Sequence, residues 1–242
     1  MVQVNHFECG GVAVAVSLSH KLADVNSLVQ FINDWAKTTR SSAIDPEFIS
    51  FGYNNIKSKG ASLDRSKDYV TRSFVFPNSK INELKLKVKA MVEESGQDSI
   101  TNLTRVEVLN WLLYTCGVAN LTKNESEMKP ESFIGEFKKH KMQLQGVRNM
   151  ESLFGTYSNV DSKEMGRSFE NGYVITSMCG SPVYEIDFGW GKPVKATIAG
   201  LRWKNCFILM DTPKKDGIEA IVCLEKKDME IFQSDPQLLA FI

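Results

Sequence analysis

Asp187-Phe188-Gly189-Trp190-Gly191, followed by Lys192-Pro193, puts one carboxylate, two bulky aromatics and two glycines into five consecutive positions. An ordinary strand or helix is not built this way. Glycine serves where the backbone adopts φ > 0 or passes close to other atoms, and the flanking aromatics supply the packing around it. The segment reads as a fixed loop at the end of a strand. It has a partner far upstream, His20-Lys21-Leu22-Ala23-Asp24, an H-x-x-x-D spacing.

Histidine is the side chain best matched to moving a proton near neutral pH, with an unperturbed pKa of about 6.5. At the end of a strand and before a helix, His20 can present its imidazole to a cleft, while Asp24 fixes the local backbone or orients the ring. A plainer alternative stays open for this motif alone, with His20 a satisfied strand-end histidine and Asp24 a helix cap. His6, on a strand pattern, and His140, on a charged helix pattern, have no partner spacing and read as structural or solvated.

Around these motifs the chain alternates strand and helix patterns. Val2 to Phe7 and Val12 to Leu18 read as strands joined by Glu8-Cys9-Gly10-Gly11. Val12, Val14, Val16 and Leu18 share one face, which His20 continues if the strand persists. A helix follows, capped by Asp24 or Asn26, with Leu28, Val29, Ile32, Trp35 and Ala36 as its apolar stripe. Tyr69 to Phe76 is a strand ended by Pro77, and Ser79 then caps a helix carrying Ile81, Leu84, Val88 and Met91. Thr104-Arg105-Val106-Glu107 is a capping box opening another helix, and a weaker helix covers Phe133 to Leu144. Tyr173 to Met178, Tyr184 to Phe188, Val194 to Ile198, Cys206 to Met210 and Ile218 to Leu224 read as strands, with a short helix over Lys227 to Gln233. The stretches from Thr38 to Asp68 and from Thr122 to Glu131 read as polar connectors, and that from Leu144 to Asn171 has little pattern. The mixture indicates an α/β or α+β sandwich.

Composition narrows the class. The 242 residues are 43% hydrophobic and 24% charged, with a formal net charge of zero, as in ordinary soluble globular proteins. Lysine and arginine are spread along the chain, so neither a nucleic-acid nor a membrane partner is indicated. The lysine-rich run from Lys80 to Lys89 reads as the solvated face of a helix. Five scattered cysteines without metal or redox spacing imply reduced thiols and a cytoplasmic setting. Met1 stands directly on a strand pattern, which suggests that an upstream portion is missing.

Together and in this order, the two motifs resemble the signature pair of the plant BAHD acyltransferases, which move an acyl group from coenzyme A to an alcohol or amine. The resemblance extends through Val4 to Trp35, Phe74-Val75-Phe76 with Ser79-Lys80-Ile81, Thr104 to Glu107, and Thr176-Ser177 leading into the Asp187 loop. Asp211, Gly217-Ile218-Glu219-Ala220, Met229, Phe232 and Leu238-Leu239 are similar to the ending of the clade with alkaloid acetyltransferases, capsaicin synthase and acylsugar acyltransferases.

That resemblance implies an α/β CoA-dependent acyltransferase fold, a chloramphenicol acetyltransferase-like two-domain sandwich whose first domain is incomplete. Residues 1–60 and about 187–211 would be the remnant of the first domain, and about 61–186 with 212–242 the second. His20 would be the general base, Asp24 would hold the architecture of the site through an arginine, and Asp187 would be structural or a second proton acceptor. Thr176 and Met178 would line the reaction channel, and Ser79 and Lys80 would touch the coenzyme A phosphates. Acyl-CoA would be a co-substrate, with no permanently bound cofactor and no metal, and the protein would act as a monomer. The sequence departs from the family pattern at Val25, where glycine is usual, at Met178, where many members carry tryptophan, and at Gly180, where arginine is common. It is also a little over half the family's usual length, and a central block is absent between Leu121 and Glu131. Two functions follow as expectations: acyl transfer with His20 as base, or a non-catalytic remnant that keeps part of the scaffold.

Overall fold

Alternating valines build the first hairpin. β1 (Val2–His6) and β2 (Val12–Val16) pair antiparallel, with Val2 opposite Val16 and Val4 opposite Val14. Gly10, at φ 83°, lets the turn close with hydrogen bonds from Gly10 N–H to Phe7 O and from Phe7 N–H to Gly11 O. β2 is shorter than its apolar pattern predicts. The ladder's last bond, from Ser17 N–H to Met1 O, ends the pairing there, so the strand does not run on towards position 20.

The structure, a computed structural model, describes residues 1–19, 22–46, 68–96, 102–119, 129–145, 173–199 and 205–242. His20 and most of the connectors expected over Thr38 to Asp68, Thr122 to Glu131 and Leu144 to Asn171 lie outside the described residues, and the connector ends at Thr38 and Thr39, Pro130 and Glu131, and Leu144 and Gln145 fall instead on helices. The chain divides into two compact units, Met1–Phe48 with Gly180–Gly200, and Ile49–Cys179 with Leu201–Ile242.

In the first unit the hairpin is followed by α1 (Val25–Thr39), whose N-cap is Asp24 rather than Asn26. Its Oδ1 accepts the Ser27 N–H at 2.8 Å, satisfying one of the orphan donors of the first turn. Val29 and Ala36, seven residues apart, are the fully buried positions; Leu28, Ile32 and Trp35 are half-buried.

The second unit is a four-stranded sheet in the order β3-β6-β5-β4, where β3 is Tyr69–Pro77, β4 Val174–Ser177, β5 Cys206–Asp211 and β6 Gly217–Glu225. β3 and β5 run antiparallel to β6, and β4 runs parallel to β5. β5 and β6 are buried along almost their whole length, so β5 reads as an apolar run without alternation, whereas β6 carries the buried Glu219, which accepts from the Ser73 hydroxyl. β5, grouped with the first domain by the sequence reading, belongs to this sheet because Cys206 to Asp211 pair in register with Cys223 to Ile218.

α2 (Asn78–Glu94), α3 (Arg105–Tyr114, continued as a π turn through Ala119), α4 (Pro130–Gln145), α5 (Lys226–Gln233) and α6 (Pro236–Leu239) share one hydrophobic core with the sheet, α2 and α5 lying directly on it. Ile81, Leu84, Val88 and Val92 of α2 are at most 3% exposed, each contributing roughly 1.5–3 kcal/mol by burial. The lysines of α2 turn outward, with Lys87 and Lys89 exposed and Lys89 3.5 Å from Glu93.

Three local expectations change. Tyr184 to Phe188 is no strand but a 3-10 turn over Val183–Glu185 entering a loop, and Val194 to Ile198 has no strand pairing. The Tyr184 hydroxyl accepts the Ala196 N–H at 3.3 Å, so a side chain takes the role a ladder would have filled. Ser79 is not a cap: Pro77, at φ −60° and ψ 149°, occupies the N-cap position and α2 begins at Asn78. Among the described residues no helix is long and apolar enough to cross a membrane.

Candidate functional site

The motif residues fall in both units, and each group has its own geometry. In the first unit the Asp187 carboxylate gathers its own loop. Its Oδ1 accepts the N–H of Gly189 at 2.7 Å and of Gly191 at 3.0 Å, and its Oδ2 stands 3.5 Å from Nη1 of Arg40 on the residue after α1. Both glycines sit at positive φ, 103° and 97°, which turns their N–H groups inward towards one oxygen. The Gly189 N–H bond is the main cause holding the Asp187 carboxyl below the usual aspartate range. Gly191, Arg40 and Lys192 act in the same direction, while partial burial opposes them. The carboxylate is therefore ionised at neutral pH, and its lone pairs are spent on the loop.

The aromatics complete this clasp. Phe188 meets Trp35 of α1 edge-on at 4.8 Å between ring centroids, and Trp190 stands 6.0 Å from Phe188. Asn33 donates to Pro182 O at 3.2 Å, Ser181 donates to Asn26 Oδ1 at 2.9 Å, and Lys192 pairs with Glu185. The loop is thus fastened along α1, the helix whose first turn Asp24 caps. Arg40, on the residue after that helix, is Asp187's partner. Nothing in the sequence marks Arg40, which lies 147 positions from Asp187.

In the second unit Ser79 and Lys80 occupy the first turn of α2, Ser79 exposed and Lys80 paired with Glu83 at 3.0 Å. No side chain caps this helix end; the Asn78 N–H is taken by a backbone carbonyl of the β5–β6 turn, and the positive end of the helix dipole remains, as at anion-binding helix termini. Around it stands a linked set that sequence reasoning did not single out. Arg105 donates to Asn78 Oδ1 at 3.0 Å and to Asp211 Oδ1 at 3.1 Å. Asn78 in turn donates from its backbone to Asp216 O at 2.8 Å and from Nδ2 to Lys215 O at 3.1 Å. The amino end of α2, the start of α3 and the β5–β6 turn are thereby held together. The sequence carried one signal for this: Arg105 sits inside the capping box, whose two reciprocal bonds between Thr104 and Glu107 are formed at 3.2 and 2.8 Å.

Thr176 lies on the edge strand β4, opposite Ile208 of β5, and is exposed. Met178 follows the strand, half-buried, and its N–H bonds Leu209 O at 2.7 Å. Ile175 packs towards the helices, so Thr176, by alternation, belongs to the sheet face away from them.

The structure matches that of vinorine synthase at a TM-score of 0.72 and 23% identity, over all of this chain and 65% of that one. It also matches TRI101 of F. sporotrichioides, crystallised with coenzyme A and T-2, at 0.72 and 13%, over all of this chain and 69% of that one. The fold is that of the α/β CoA-dependent acyltransferase sandwich. A family model described as Transferase family matches residues 1–135 and 131–239. The curated relatives include diaboline synthase of Strychnos sp, 32% identical over all of this chain and 63% of that protein. A 17,18-epoxy-17-hydroxycur-19-ene N-malonyltransferase of Strychnos nux-vomica is 32% identical over all of this chain and 62% of its own length. BAHD acyltransferase BIA1 of Arabidopsis thaliana is 30% identical over 99% of this chain and 68% of its own. The chain belongs to the BAHD acyltransferase family. It spans just under two thirds of the length of the first two relatives. The alignment with diaboline synthase runs over 296 positions against 242 residues here, so that relative carries stretches inside the aligned span with no counterpart in this chain.

Proposed function

We propose that the protein transfers an acyl group from acyl-CoA to a hydroxyl or amine of a plant specialised metabolite, with His20 as general base. The imidazole takes the acceptor's proton as its oxygen or nitrogen attacks the thioester carbonyl, and the new C–O or C–N bond forms. The tetrahedral oxyanion collapses, the C–S bond breaks, and the coenzyme A thiolate recovers the proton from the imidazolium. No enzyme nucleophile is required.

The observation that carries this reading is the amino end of α2, which no side chain caps and beside which Lys80 and Arg105 stand, each paired with one carboxylate, a helix terminus of the kind that takes phosphate oxygens, in a chain of this family. Asp187 is best read as the fastener of its loop, since an ionised carboxylate accepting two N–H bonds is a poor proton acceptor. Asp24 acts as the cap that starts α1, and Thr176 and Met178 as channel-lining residues. The protein works as a cytoplasmic monomer, and the five cysteines, none of them in a disulfide, agree with a reducing compartment.

A second reading, a scaffold without turnover, is favoured by one observation: Val2, Val4 and Val12 of the hairpin are 38–48% exposed, an apolar strand surface without cover among the described residues. One experiment separates the two. Purified protein given acyl-CoA and acceptor alcohols is assayed for free thiol. Turnover is expected, and His20→Ala should lower it about 10²- to 10⁴-fold without changing the melting midpoint. No thiol release from a folded protein that coenzyme A stabilises against heat would reject the catalytic assignment but keep the binding site. Unchanged activity in His20→Ala would reject the base.

A further inference from the structure

At the carboxyl end of α2, remote from Ser79 and Lys80, lies a cavity of about 390 Å³ bordered by Met91, Glu94, Trp111, Lys129, Glu131 and Gln237. Seventeen helical residues separate the two ends of α2, about 25 Å at 1.5 Å per residue. The cavity is therefore no part of the phosphate-facing terminus. Its volume lies within the range that encloses small organic ligands.

The chemistry of its wall is specific. Glu131 is only 6% exposed and lines the cavity, yet among the described residues it makes no hydrogen bond and no ion pair. A carboxylate with so small a share of its residue open to solvent favours a cation or donors at the surface it keeps. Glu131 sits in the first turn of α4, where the helix dipole favours its charge, but that field supplies no partner at the cavity surface. The other elements around the cavity strengthen the same sign. Glu94 adds a second carboxylate, and α2 ends there with no basic residue in its last turn, so its negative dipole end adds to the field. Among the described residues of the wall Lys129 is the cation, and it is exposed. Trp111, 2% exposed, and Met91 provide an indole and a thioether for the apolar body of a ligand. An indole and two carboxylates on one cavity wall are groups that receive ammonium ions.

The geometry points to a second binding site in which the Glu131 carboxylate, with Glu94 and the Trp111 indole, receives an organic ammonium ion carrying an aromatic or aliphatic body. This inference does not depend on the acyl-transfer reading, and its test needs no catalysis. The full chain is titrated calorimetrically at low ionic strength with 2-phenylethylammonium and, in parallel, with the neutral 2-phenylethanol. One-to-one binding of the ammonium ion is expected, at least tenfold tighter than that of the alcohol and unaffected by saturating coenzyme A. Glu131→Gln, isosteric and uncharged, should weaken the ammonium ion at least tenfold with the circular-dichroism spectrum preserved. Glu94→Gln, an exposed change that leaves folding intact, should weaken it severalfold and serves if Glu131→Gln does not fold. Equal affinity for alcohol and ammonium, no binding by the unmodified chain, displacement by coenzyme A, or unchanged affinity in both variants would each overturn the proposal.

Discussion

Asp187 shows how a single carboxylate can specify a loop. Two glycines at positive φ direct their N–H groups at one oxygen, and Arg40 takes the other at 3.5 Å. The backbone bonds matter more than the ion pair, because Arg40 and Asp187 are 40% and 25% exposed and solvent screens their attraction. A folded-state carboxyl held below its ordinary value contributes stability above the unfolded pKa and loses it as pH falls through the folded one. The loop should therefore loosen in acid with a midpoint below the ordinary aspartate value of 3.8, read as a change in tryptophan fluorescence from Trp190 and Trp35. Asp187→Asn should remove that part of the acid transition and leave the part due to Asp34, whose carboxyl is lowered by Gln30 and Lys37. An acid profile identical in the variant would show that the clasp does not set the loop. The D-F-G-W-G pattern made the fixed loop legible, because glycines between aromatics have few other uses. Arg40 was not legible, since no spacing rule links residues brought together only by the folded chain.

Among the elements, β6 is the one most closely fitted to its neighbour. A methyl group on Gly217 would stand 2.5 Å from Phe76 O, a backbone atom that cannot turn aside. Gly217 pairs with Pro77 at the end of the β3–β6 ladder. Gly217→Ala should thus cost about 1–3 kcal/mol, in the range of overpacking, measured as a lowered urea midpoint at unchanged m-value. Full stability would mean that the strand ends separate without penalty. Helices were the easiest elements to read. The α3 capping box and the apolar spacing of α2 depend on residues three and four apart, and such contacts form within one element. The strands expected at Tyr184–Phe188 and Val194–Ile198 were misread because short apolar runs are compatible with more than one backbone state. There, packing on Trp35 and the Tyr184 hydroxyl bond replace a ladder.

For the molecule as a whole, the most cohesive region is the sheet and helix layer of the second unit. Phe76, Leu84, Leu109, Leu112, Phe207, Ile218 and Phe232 are fully buried there. In native-state hydrogen exchange the amides of Phe207–Leu209 and Ile218–Leu224 should be the last to exchange, approaching the global opening energy. Those of the β1–β2 hairpin should exchange first, since two strands alone are marginal. The opposite order would overturn this assignment of the core. The amino-acid sequence by itself determined the family and the α/β class, along with the helix stripes and the fixed loop at Asp187, because these rest on residue types at short spacings. Only the tertiary structure decided that Arg40 answers Asp187, that Arg105 binds Asn78 and Asp211 together, and that β5 lies inside the second unit's sheet. Those contacts join residues 27 to 147 positions apart, and geometry at that range exists only once the hydrophobic layers have closed.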